Sequence, residues 1–125
     1  MPLQTTIAAD TMLDRMWATN PGSTFEVGLL DGDPDEGGAE LTAGDCPGYA
    51  RYAPSSYAGF WQPASDGTKS SAAFSFADAT GPWDVAGEWL GIWVDGVLWD
   101  AVPLLLAIAP DAAGPFRSVT LTVRF

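Results

Sequence analysis

The sequence predicts an all-β protein: an antiparallel β-sandwich, jelly-roll or immunoglobulin-like or a small barrel, with one short N-terminal helix. Three observations carry this expectation. Apolar residues recur at every second position in several short runs, Asp95-Gly96 separates two such runs, and Gly, Pro, Ser or Asp bounds each of them. A chain of 125 residues fits one domain, read here as an arm at 1–9, a helix at 10–19 and a sandwich at 24–125.

The helix is expected because Asp10 can cap free amides while Met12 and Met16, and Leu13 and Trp17, recur four apart. Asn20-Pro21-Gly22 ends it. A strand follows at 24–29 with Phe25, Val27 and Leu29 on one face. Segments 48–52 and 57–62 are shorter, aromatic-rich strand candidates, and 71–77 alternates through Ala72, Phe74 and Phe76. The clearest local signal is 88–94, then Asp95-Gly96, then 97–99, a hairpin whose Asp-Gly pair suits a type I′ turn. The last strand, 119–125, alternates Val119, Leu121, Val123 and Phe125 with polar residues.

Charge narrows the range of partners. Sixteen acidic against five basic residues give a net charge of -11, which repels a phosphate backbone, and Arg15, Arg51, Lys69, Arg117 and Arg124 are too scattered to form a basic stripe. No nucleic-acid partner is expected. Residues 1–6 lack the basic start of a secretory signal, and the longest apolar stretch, 101–109, is broken by Pro103 and falls short of the roughly 20 residues of a membrane helix, so no membrane partner is expected. Cys46 is the sole cysteine, so it has no disulfide partner within the chain; lying in a loop near Glu40 and Asp45, it is read as an inert thiol.

Chemistry-bearing patterns are sparse. Asp31, Asp33 and Asp35 alternate as oxygen ligands in a calcium loop do, but Glu36 stands where that loop needs Gly and Thr42 where it needs a bidentate Glu. A solvated turn is the first reading; a weak calcium site, shared between subunits, is the second. The chain contains no histidine to activate a Ser or Thr nucleophile, and with 16 acids some carboxylate pair arises by chance. Neither enzymatic activity nor a cofactor is expected. Six tryptophans, at 17, 61, 83, 89, 93 and 99, suit core and subunit-interface packing, or else a platform for sugar rings. Trp89 and Trp93 share one side of their strand, and Trp99 joins them if the register allows. Strand 90–94 is so apolar that self-association is the expected cover for its edge. Leu3 and Ile7 in the arm, with Trp61, Trp89, Trp93 and Trp99, are the interface candidates this argument selects.

A series of short motifs runs along the chain: Val27-Gly28-Leu29-Leu30-Asp31-Gly32-Asp33-Pro34, Gly48-Tyr49-Ala50-Arg51-Tyr52, Ala73-Phe74-Ser75-Phe76-Ala77-Asp78-Ala79 with Trp83, Gly91-Ile92 and the final strand. Their order resembles that of small siphophage virion proteins labelled tail-fibre or minor tail proteins, a group with head-decoration-like members. The resemblance spans roughly Leu13 to Phe125; the tryptophan-rich hairpin and Leu104-Leu105-Leu106 depart from the pattern. It implies a virion protein, assembled in the host bacterial cytoplasm, that binds itself and its neighbours. Tyr49 and Arg51 then join the interface candidates, and Arg51 can pair an acid of the nearby loop. A capsid decoration or cement protein, acting as a homotrimer on the major capsid protein, is the first expectation, because the chain shows no repeat or fibre shaft. A tail-fibre or tail-tip component bound to tail proteins is the second, and a lectin-like module for host glycans the third.

Overall fold

The computed structural model describes residues 24–54 and 57–124; the arm expected at 1–9 and the helix at 10–19 lie outside them. Strand β1 (Phe25–Leu30) pairs antiparallel with β3 (Gly87–Val94), which pairs antiparallel with β4 (Val97–Ile108), giving the sheet order β1-β3-β4. The β3–β4 turn forms as the sequence predicts: Asp95 and Gly96 sit at φ 50° and 80°, the left-handed pair that a type I′ turn requires. In the β1–β3 register Val27 faces Ile92 and Gly28 faces Gly91. Alternation therefore sends Phe25, Val27, Leu29, Leu90, Ile92 and Val94 to one face, where all are buried in the core, and Glu26, Gly28, Leu30, Trp89, Gly91 and Trp93 to the other.

The facing layer is less regular. Strand β2 (Thr68–Ser70) pairs antiparallel with β5 (Thr122–Arg124), single bridges Phe74–Val119 and Ala79–Gly114 continue that contact beyond Ser70, and Trp61 bridges Ser71. Phe74, Phe76, Val119 and Leu121 meet the inner face of the first sheet in one core. Aromatic rings fill much of it: Tyr52 stacks on Phe74 at 4.6 Å between centroids, and Phe25, Phe60 and Trp61 meet edge to face. The all-β class and the antiparallel pairing thus follow the sequence reading.

Several elements differ from it. Segment 57–62 is no strand: Tyr57–Phe60 form a single helical turn, α1, and Trp61 makes only a bridge. A strand sends consecutive side chains to opposite faces, whereas Phe60 and Trp61 both enter the core. Segment 71–77 alternates in burial only from Ala73 to Ala77, with Phe74 and Phe76 inward; at its start Ser71 is buried and Ala72 half-buried, and the segment pairs only at Ser71 and Phe74. Segment 48–52 is a turn that touches β1 through Tyr52 and Val27. The last strand is shorter than 119–125, and β2, with no apolar residue, gave no periodic signal.

Strand β4 runs well past 99, through Pro103, to Ile108. It is an edge strand, where a residue without an amide hydrogen is tolerated. The other edge of the sheet is covered, since Tyr52 exchanges backbone bonds with Val27 and the Leu41 amide donates to Leu29. Trp89 pairs with Pro103 and Gly87 with Ile108, so Glu88 alone faces residues 104–107, and the surplus chain bows outward as a knuckle.

Candidate functional site

The outer face of the sheet carries the densest polar cluster. Gly28 and Gly91, paired across β1 and β3, leave a notch that the Trp93 indole fills; a Cβ on Gly91 would stand 2.7 Å from its ring. The Arg51 guanidinium lies over that ring, 4.2 Å from the centroid. It donates to Glu40 through Nε at 2.9 Å and Nη2 at 2.8 Å, and to Glu26 through Nη1 at 3.2 Å. Tyr49 Oη donates to Glu40 at 2.7 Å and accepts from the Leu29 amide at 3.0 Å. Burial by itself raises the Glu40 carboxyl, yet the bonds from Arg51 and Tyr49 and the guanidinium charge hold it below its ordinary value. Desolvation first, and then Glu40, push the Tyr49 phenol upward, and its hydrogen bonds to Glu40 push Arg51 upward. With no titration of Tyr49 or Arg51 near neutrality, the cluster works as a clamp tying the 40–51 loop to the sheet.

Beside it, the turn after β1 faces β4. Asp33 caps the 3-10 turn Pro34–Glu36 by accepting from the Asp35 amide, and Asp31 accepts from the Ala39 amide. Two of the three alternating acids thus serve the backbone, and among the described residues no three His, Cys, Asp or Glu side chains group to hold a metal ion. The calcium-loop reading has no converged ligand set to rest on. Asp33, Asp35, Trp89, Trp99 and Asp100 instead line an open cleft of about 300 Å³.

The third feature is the β4 surface. Val97, Trp99, Leu105 and Leu106 are its exposed large apolar side chains, and Leu105 is fully solvent-accessible at 105%. Arg117 secures the knuckle, donating to the carbonyls of Leu106 and Ala107. Next to it a groove of about 630 Å³ opens between β4 and the 120–122 segment, lined by Leu90, Val102, Leu104, Thr120 and Thr122 with one carboxylate, Asp100.

The interface candidates thus separate. Trp61 belongs to the core and presents almost no surface to a neighbour. Trp93 is likewise buried, under Arg51, so it does not join Trp99 in one patch; Trp89 and Trp99 share the cleft instead. Tyr49 and Arg51 are half-buried in the clamp, where Arg51 does pair an acid, though Glu40 and Glu26 rather than the aspartates of the turn. Leu3 and Ile7 lie outside the described residues. Trp99 is exposed as an interface residue would be. Leu105 and Leu106, which the sequence reading noted only as a departure, are the more prominent surface residues; the signal was a leucine run continuing past Pro103 with no polar alternation.

Cys46 is fully buried, with its thiol on the Val85 carbonyl at 3.4 Å, and burial pushes its pKa up. No family model matches the chain, and no curated protein is significantly similar to it.

Proposed function

We propose that this chain is a non-enzymatic structural subunit of a tailed-bacteriophage particle, holding neighbouring proteins together by burying the β4 surface. The observation that carries the reading is the cluster of Val97, Trp99, Leu105 and Leu106, exposed along an edge strand. Apolar surface of this kind yields about 25 cal/mol per Å² when a neighbour covers it, partly offset by ordering costs. Such a gain, repeated over a symmetric shell, is what a cement protein supplies. The phage assignment itself rests on the motif order described above, and head decoration is preferred to a tail-fibre or tail-tip position because apolar side chains exposed along an edge strand suit a seam between shell subunits.

Particles lacking the protein are expected to have fragile heads that lose DNA under osmotic shock, with tails and adsorption intact. Normal heads with defective adsorption would move the assignment to the tail, and particles unchanged in both would end it. One observation favours a second reading, host-glycan binding: the cleft that sets the Trp89 and Trp99 indoles beside Asp33, Asp35 and Asp100 offers ring faces and acceptors together. Binding on a glycan array that Trp99→Ala abolishes would support it.

A further inference from the structure

We infer that the β4 knuckle and groove form one self-complementary contact, and that the occupant of the groove is the knuckle of a second copy of this chain. The inference rests on the proposed role of the β4 surface and names the partner for part of it. The knob is Leu105 and Leu106, raised where residues 104–107 face Glu88 alone. The groove lies alongside, with Leu105 on its rim and Leu90, Val102 and Leu104 in its wall. A knob adjoining its own groove is the arrangement an isologous contact needs, because a two-fold rotation places each knob over the other copy's groove. A two-fold pair, rather than a threefold ring, follows from that adjacency.

Charge supports a second copy. A net charge of -11 opposes self-association in general, yet among the described residues Asp100 is the only acid lining the groove. One of the five cations, Arg117, stands at the base of the knob, where two of its five N–H donors hold the knuckle carbonyls and the residue is exposed. Across the two-fold, Arg117 of each copy meets Asp100 of the other. The knob is thus apolar with a positive base, and the groove apolar with a single negative group.

Sedimentation velocity over about 1–100 μM tests this, with near-ultraviolet circular dichroism to check that each variant is folded. The wild-type chain is expected to form a dimer, and L105D/L106D to weaken it by at least about 100-fold, since both side chains are surface residues whose burial occurs only in the contact. D100R, which leaves Arg117 on the knuckle carbonyls, is expected to weaken the dimer as well, because each substituted arginine would face Arg117 of the other copy. A wild-type chain monomeric at 100 μM, a dimer that survives L105D/L106D, or one unaffected by D100R would overturn the inference. Incorporation of L105D/L106D into particles separates this from the parent reading. A monomeric wild type whose variant fails to incorporate overturns the self-contact alone, and a monomeric wild type whose variant incorporates normally removes both.

Discussion

Replacing Arg51 with Ala tests the clamp on the outer face of the sheet. The side chain makes a two-point contact with Glu40, a third bond to Glu26, and lies 4.2 Å above the Trp93 ring. Its side chain is 26% exposed and that of Glu40 27%, so the pair is screened less than a surface ion pair and desolvated less than a buried one. Charge-assisted hydrogen bonds of this kind contribute about 1.5–3 kcal/mol, and the cation–ring contact about 0.5–1 kcal/mol. Removing the guanidinium also leaves two carboxylates facing each other and uncovers Trp93. A loss of about 2–4 kcal/mol is therefore expected, read by urea unfolding followed through both circular dichroism and tryptophan fluorescence. Arg51→Lys should recover only part of it, because an ammonium keeps the charge but lacks the planar fork that grips Glu40 and stacks on the indole. In a double-mutant cycle with Glu40→Gln, the coupling should be about 1–2 kcal/mol. A loss below about 0.5 kcal/mol for Arg51→Ala, or a coupling of zero, would refute the assignment of the cluster as a clamp.

The same clamp sets a pH dependence. Because the folded-state value of Glu40 is depressed, its contribution is complete above the unfolded value of 4.5 and fades as pH falls through the lower folded one. Wild type should thus lose more stability than Glu40→Gln on acidification below pH 4.5, and parallel pH–stability curves would contradict this. Gly91→Ala should cost about 1–3 kcal/mol and shift the Trp93 emission, since the new Cβ would lie 2.7 Å from that ring and 2.8 Å from Leu30. Gly44→Ala, whose nearest contact is 3.8 Å away, is the neutral control. Cys46 should react with a disulfide reagent only as the protein unfolds, as expected of a fully buried thiol whose pKa is raised; rapid labelling of the native state would show that the loop opens.

Local pattern was enough to determine the all-β class, the β1 strand and its inward face, and the β3–β4 hairpin. Strand periodicity and the left-handed preference of Asp-Gly act between neighbours in the chain, so they are visible without a partner. The alternation at Phe74, Phe76, Val119 and Leu121 was also legible as burial, even though the ladder between those segments reduces to bridges. The tertiary structure alone decided the rest. Arg51 and Glu26 are 25 residues apart and Arg51 and Glu40 are 11, so their meeting depends on how the 40–51 loop crosses the sheet. Trp61 and Trp93 look alike in the sequence, yet packing hides one among aromatic rings and the other under a guanidinium. The knuckle is the clearest case: the leucine run at 104–106 stood out in the sequence only as a departure from the motif pattern, and pairing opposite the single residue Glu88 leaves Leu105 and Leu106 outward while Leu104 packs against the core. Register is a property of two segments together, and one segment's composition does not contain it.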